Sequence, residues 1–163
     1  MYSGNRMAYE GFKHSSAELT EEQVVWLENL PLQRTVEFDG VTYQLVHEHP
    51  DKSTLGTREA YVFPRHFSNI LPHIQGTEVY GLFLGHTHVR HTMERNKNLI
   101  HNPGSVGQPR DGTVGAVYTI LDTDLDKPGI TKEQVSYNID SVISKVHDVG
   151  LPSRTGERIR QGE

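Results

Sequence analysis

An unbroken apolar run, Val79-Tyr80-Gly81-Leu82-Phe83-Leu84, stops at Gly85-His86-Thr87-His88-Val89. The run is too short for a helix and reads as a buried strand, so the chain needs a layered core around it. Two histidines one residue apart at a strand end can aim both imidazoles into one cleft if the backbone turns there. Gly85 allows such a turn and lets another group come close. Further on, Asn102-Pro103-Gly104-Ser105-Val106-Gly107 forms a second tight loop.

The flanking segments supply the layers. Between Asn5 and Leu19, the residues Met7, Ala8, Gly11, Phe12 and Ser15 share one helical face. Thr20-Glu21-Glu22-Gln23 is a capping box whose two acids suit the positive end of a helix. The helix carrying Val24, Leu27 and Leu30 then runs to Pro31, with Leu19 placed to staple onto it and structural support as its role. Two alternating runs, Arg34 to Phe38 and Val41 to His47, are joined by Asp39-Gly40 and predict a hairpin with a type I′ turn. Val36 and Phe38 fall on one face, and Val41, Tyr43 and Leu45 on one face of the partner strand. A polar loop spans Asp51 to Arg58, and a short helix is expected from near Pro64. Phe67, Ile70, Leu71 and Ile74 form its stripe, which Pro72 interrupts. A second hairpin, Val89 to Arg95 and Leu99 to His101, flanks Asn96-Lys97-Asn98. Val114 to Leu121 reads as a well-buried strand, and Ile130 to Tyr137 follows it after a turn. A last helix from Ile139 to Val149 turns Val142, Val146 and Val149 inward. Residues 152–163, with Arg154, Arg158 and Arg160, read as a solvated tail.

No repeat or linker divides the 163 residues, so one domain is expected, with its core at about 20–149. No apolar run approaches the roughly 20 residues of a membrane span. The N-terminus also lacks the apolar region of a signal peptide, so a cytoplasmic location without a membrane partner is expected. Cysteine is absent, which excludes disulfides, thiolate catalysis and cysteine zinc sites. Any metal must be held by nitrogen and oxygen donors, and ten histidines make that feasible. A net charge of −5 gives no general attraction to nucleic acid.

Three strand ends, at His47, Leu84 and His101, open into loops carrying histidine, asparagine or serine. In layered α/β proteins ligands gather at such ends. The order matters: Leu45-Val46-His47, then Gly85-His86-Thr87-His88, then Asn102-Pro103-Gly104-Ser105-Val106-Gly107-Gln108-Pro109-Arg110. From about Thr20 to Tyr137 this resembles the calcineurin-like metallophosphoesterases, nearest their small prokaryotic phosphodiesterase branch. The resemblance implies an α/β fold of the αββα layered-sandwich type and a hydrolase of small phosphate mono- or diesters. It implies two divalent ions (manganese, zinc, iron or nickel) at the strand ends, with His47 and His86 on one and His88 on the other. A bridging carboxylate and water complete the family's site. Such an ion pair depresses the pKa of that water and clamps phosphate oxygens for in-line displacement. The Asn102 to Ser105 loop would shape the wall, and Asn102, Ser105 and Arg110 are the candidates for phosphate contact. For Arg110 a surface salt bridge is the competing expectation.

The family also begins with an Asp-x-His strand, a Gly-Asp-x-x-Asp strand end and a Gly-Asn-His-Asp or Glu motif. The first two do not occur here. Gly4-Asn5-Arg6 superficially resembles the third, but Asn5 leads straight into the helical stretch that follows that motif. Arg6 cannot release a proton near neutrality as the family's acid histidine does, so no catalytic acid is assigned. The chain therefore resembles the C-terminal two-thirds of such an enzyme. Glu48 stands where the family has glycine, either adding an oxygen ligand or narrowing the approach. His49 is either an orienting partner of a ligand or a loop histidine beside Pro50. His91 is expected at an exposed strand position or facing the same side as His88, and His14, His66, His73 and His147 in solvent. Three readings compete: a truncated reading of an active enzyme, a degenerate module that binds a partner, and one zinc on His47, His86 and His88. The 163 residues alone are expected to bind metal weakly and turn over little substrate.

Overall fold

The computed structural model describes residues 6–54, 57–124 and 128–163; the Gly4-Asn5 motif lies outside them. Helix α1 (Arg6–Glu18) and helix α2 (Glu21–Glu28) open the chain. At α2 the Thr20 hydroxyl accepts from the Gln23 amide and the Gln23 side chain accepts from Thr20 N, completing the expected capping box. Neither helix buries a residue, and Phe12 is 73% exposed. Their apolar faces are therefore left uncovered by the described residues, which corrects the supporting role expected of α2.

Strands β1 (Gln33–Phe38) and β2 (Val41–Val46) pair antiparallel through Asp39 and Gly40, both at positive φ as a type I′ turn requires. The chain then crosses through a short turn at Pro64–His66, helix α3 (Phe67–Ile70) and a turn at Leu71–His73. Strand β3 (Val79–Phe83) follows, then a hairpin of β4 (His91–Arg95) and β5 (Asn98–Asn102). These form one sheet in the order β1-β2-β3-β5-β4, in which β2, β3 and β5 run parallel. The hairpin of β6 (Ala116–Asp122) and β7 (Gly129–Val135) is a separate sheet, and α4 (Ile139–Asp148) and α5 (Ser153–Gln161) close the chain.

Period-2 alternation splits the main sheet into two buried faces. Leu82, Leu84 and Ile100 pack with Val62, Phe67, Ile70, Leu71 and Ile74, so the expected stripe around α3 covers one face. On the other face Tyr43, Phe83 and His101 stack edge to face, and His101 reaches Thr119 of β6. This is the expected α/β layering, helical segment on sheet on sheet. Two expectations fail. Only Val117 of β6 is buried, while Tyr118 and Ile120 stand exposed, because β6–β7 has one inward face and nothing described lies over its outer one. Residues 153–161 are also no solvated tail. They form α5, held to α4 by Gly156 against Ile143 and by the buried Ile159. Among the described residues no helix is long and apolar enough to cross a membrane.

Candidate metal and phosphate site

Parallel strands in register bring their C-terminal ends to one edge, and that edge carries the expected histidines. Past the ends of β2 and β3 the ladder continues, with Gly85 N donating to His47 O at 2.9 Å and Leu84 N to His101 O at 2.8 Å. A Cβ on residue 85 would lie 3.1 Å from His47 Nδ1, so the absence of a side chain at Gly85 lets the two strand ends close. His86 and His88 then both adopt the left-handed backbone region, with φ of 58° and 60°. Between them Thr87 turns inward and is buried.

Left-handed backbone at two non-glycine residues costs about 1–2 kcal/mol each and persists only where surrounding bonds enforce it. Asn102 supplies those bonds. Its side-chain amide donates to Gly85 O at 2.7 Å and to Thr87 Oγ1 at 3.1 Å, while its oxygen accepts from Gly104 N at 2.9 Å. Asn102 is 1% exposed with all its side-chain polar groups engaged, so it clamps the histidine loop. The Ser105 hydroxyl accepts from Gln108 N at 3.0 Å and Gly107 N at 3.3 Å, shaping its own loop. Both residues thus shape the wall of the candidate site, as the resemblance implies.

The imidazoles are oriented for different tasks. His88 Nδ1 lies 2.8 Å from Gln108 O, and a carbonyl accepts only, so Nδ1 carries the proton and Nε2 keeps its lone pair. His86 packs against Tyr61 with centroids 4.1 Å apart and against His47 at 5.1 Å. Its Nε2 is buried without a hydrogen-bond partner and lies 3.9 Å from Glu48 Oε2. Burial, with His47 adding to it, holds the His86 imidazole below its ordinary pKa. Burial lowers His88 as well; Arg110 and His47 add to this while the Gln108 bond opposes it. Both rings are thus neutral at pH 7, the form that binds metal.

Arg110 joins this group through its backbone, N to His88 O at 3.0 Å. Its Nε is buried without a partner and its Nη2 lies 3.3 Å from Gln108 Oε1, and among the described residues it forms no salt bridge. Neighbouring Asp111 is taken by Arg90, whose Nε is 2.8 Å away.

The other histidines separate cleanly. His49 accepts from Asp51 N at 3.0 Å and faces His73 at 5.0 Å, which makes it a loop histidine. His91 is packed on Phe67 at 5.1 Å and is not exposed, because its side of β4 meets the core. His66 is likewise tied in, accepting from Phe63 N at 3.3 Å.

A buried imidazole nitrogen with no partner, beside a second imidazole and a carboxylate, fits a divalent ion as one side of its shell. The fit is partial. Among the described residues no three histidine or carboxylate groups form a ready-made cluster around one point. Tyr61, Gln108 and Thr87 were not anticipated. Only Thr87, held between two ligating candidates, carried a signal in the sequence.

Comparison with known proteins agrees with the motif order. A family model, the calcineurin-like phosphoesterase superfamily domain, matches residues 4–126. An uncharacterized protein of Methanocaldococcus jannaschii is 28% identical over 161 residues, covering 88% of this chain and 61% of that protein. The crystal structure of a metallophosphoesterase from Sphaerobacter thermophilus superposes with a TM-score of 0.73 at 26% identity, covering 91% of this chain and 65% of that one. A hypothetical protein from Pyrococcus horikoshii shares the fold, with a TM-score of 0.72 at 13% identity over 99% of this chain and 67% of that one. The chain therefore spans less than two thirds of the length of the first two.

Proposed function

The chain belongs to the calcineurin-like phosphoesterase superfamily, and from that membership we propose that it carries the histidine side of a metal-dependent centre hydrolysing small phosphate mono- or diesters. The observation that supports this most directly is the buried, unpartnered Nε2 of His86 between His47 and Glu48. Burying a polar nitrogen with no partner costs about 1–3 kcal/mol, a penalty a bound cation removes. His47 and His86 would hold one ion and His88 Nε2 the other, with Glu48 as an added oxygen donor. Bound divalent metal (manganese, zinc, iron or nickel) would supply Lewis-acid activation of water and charge neutralisation at the phosphoryl oxygens.

The protein's own residues then do the positioning. The Gln108 carbonyl fixes the His88 tautomer, Asn102 holds the loop of Gly85 to His88 in its strained form, and Tyr61 shields one face of His86. Arg110, whose Nε is buried without a hydrogen-bond partner, would turn its guanidinium to a phosphoryl oxygen. The remaining donors, the Asp-x-His and Gly-Asp-x-x-Asp carboxylates, belong in this proposal to the part of the relatives that the chain does not span.

A second reading, a module of the same fold that binds a partner without turnover, is favoured by the lack of three convergent donors among the described residues. Titration with manganese separates the two at the level of this chain. Weak saturable binding that His86→Ala abolishes supports the metal centre, and equal binding by both proteins sinks it. Release of nitrophenolate from an aryl phosphate by the gene's longest upstream-extended reading frame, lost in His86→Ala, supports hydrolysis; no turnover there favours the partner-binding module.

A further inference from the structure

Between the polar loop after β2 and the start of α3, the run Ala60-Tyr61-Val62-Phe63 alternates buried and open side chains. Ala60 and Val62 are buried, and Val62 joins the core cluster with Phe67, Ile70 and Leu84. Tyr61, 41% exposed, and the half-buried Phe63 therefore turn the other way together. Hydrogen bonds hold the run at both ends. His49 N donates to Ala60 O at 3.2 Å, and Phe63 N donates to His66 Nδ1 at 3.3 Å. Two outward rings are thus fixed by the core behind them.

The planes of Tyr61 and Phe63 differ by 15° with centroids 6.4 Å apart, so one flat ring can lie parallel to both. Arg65 places its Cζ 4.7 Å from the Phe63 centroid, which steadies that ring and adds a cation to the row. Tyr61 in turn has its centroid 4.1 Å from that of His86. The row runs Arg65, Phe63, Tyr61, His86, from the open surface to a candidate metal ligand. Core packing does not explain it, because Ala60 and Val62 are the residues of this run that meet the core.

We propose that Tyr61 and Phe63 form the seat of the ester's leaving group, a planar aromatic ring, so that the substrate class is an aryl or nucleoside phosphate. In such an ester one oxygen joins the leaving group to phosphorus, so the ring lies beside whatever holds the phosphoryl group. Tyr61, in contact with His86, occupies that position. Every base or aryl group has a π face to stack there, and an aliphatic leaving group has none. Naming the ring as leaving group rests on the phosphoesterase reading, whereas stacking on the seat needs no metal.

The test is NMR titration of the EDTA-treated chain with adenosine monophosphate, phenyl phosphate and ribose 5-phosphate. Saturable binding of at least one aromatic ester is expected, at least fivefold tighter than that of ribose 5-phosphate, with shifts at Tyr61 and Phe63. Tighter adenosine monophosphate assigns a nucleoside leaving group and tighter phenyl phosphate an aryl one; either supports the seat. Tyr61→Ala and Phe63→Ala should each weaken the aromatic ester at least fivefold, and Tyr61→Phe less than twofold. Phe12→Ala, a change at an exposed ring of α1, should leave it unaltered. Circular dichroism checks that each variant is folded, and Tyr61→Leu, which keeps an apolar contact with His86 but no ring, replaces an unfolded alanine variant. No aromatic binding, equal binding of ribose 5-phosphate, or ring-free variants that bind like the parent would overturn the proposal. An equal loss in Phe12→Ala would do the same. Because EDTA excludes metal, failure here leaves the manganese titration at His86 untouched, and the reverse holds.

Discussion

Asn102 and Gly85 are joined by a 2.7 Å hydrogen bond from a side-chain amide on one strand end to a backbone carbonyl on the next. That bond, with the one to Thr87, is what makes the left-handed histidines affordable. Asn102→Ala leaves the Gly85 carbonyl, the Thr87 hydroxyl and the Gly104 amide short of partners in a buried place. The expected loss is about 2–4 kcal/mol, seen as a lower urea midpoint at unchanged m. A loss under about 0.5 kcal/mol would show that water replaces the amide and that Asn102 is no clamp.

His86→Gly should separate stability from metal binding. Glycine adopts the φ of 58° without strain and removes the unpartnered Nε2, while the packing on Tyr61 is lost. These effects oppose one another, so stability in EDTA should change by less than about 1 kcal/mol. With added manganese or zinc the parent should gain thermal stability by mass action and the variant should not. An equal rise in Tm for both would place the bound ion elsewhere.

His101 predicts a pH dependence. Its Nδ1 lies 2.9 Å from Thr92 Oγ1 and its Nε2 3.0 Å from Thr119 Oγ1, joining the two sheets. Burial, aided by the charge of Lys132, pushes the imidazole down to about 4 from an ordinary 6.5. Between those values the unfolded chain binds the extra proton, so stability rises with pH across that window. The contribution is complete above pH 6.5 and fades as pH falls toward 4, amounting to up to about 3 kcal/mol. Urea midpoints between pH 5 and 6.5 should slope upward in the parent and more weakly in His101→Leu. Equal slopes would assign the effect to other groups.

The docking of α5 is equally open to test. Ile159 is 8% exposed, so Ile159→Ala should cost about 2–3 kcal/mol and release amide protection across residues 153–161. A solvated tail would tolerate the change within about 0.5 kcal/mol.

What the sequence disclosed was whatever is decided locally. Asp39-Gly40 announces its turn because two residues suffice to set positive φ, and Thr20 with Gln23 announces a helix start within four residues. The Gly85 to His88 motif pointed to the candidate site because a buried strand and its exit are contiguous. The remainder is set by partners distant in the chain. The clamp made by Asn102 was hidden because its bonds run to residues past the end of another strand. Residues 153–161 looked like tail because one buried isoleucine and one small glycine carry the docking, against an otherwise charged surface. Tyr118 and Ile120 looked buried because a β-rich apolar run does not reveal that only one of its faces is covered.

The parallel pairing of β2 with β3 also has a kinetic consequence. His47 and His86 become neighbours only when the whole segment between the two strands has been spanned, and contacts of such sequence separation form late. The imidazole pocket is then expected to be missing from the transition state, leaving a metal ion nothing to grasp until the folding barrier is crossed. In a chevron measured with and without manganese, the refolding arm should coincide while the unfolding arm drops, so that bound metal prolongs the life of the folded chain without hastening its birth.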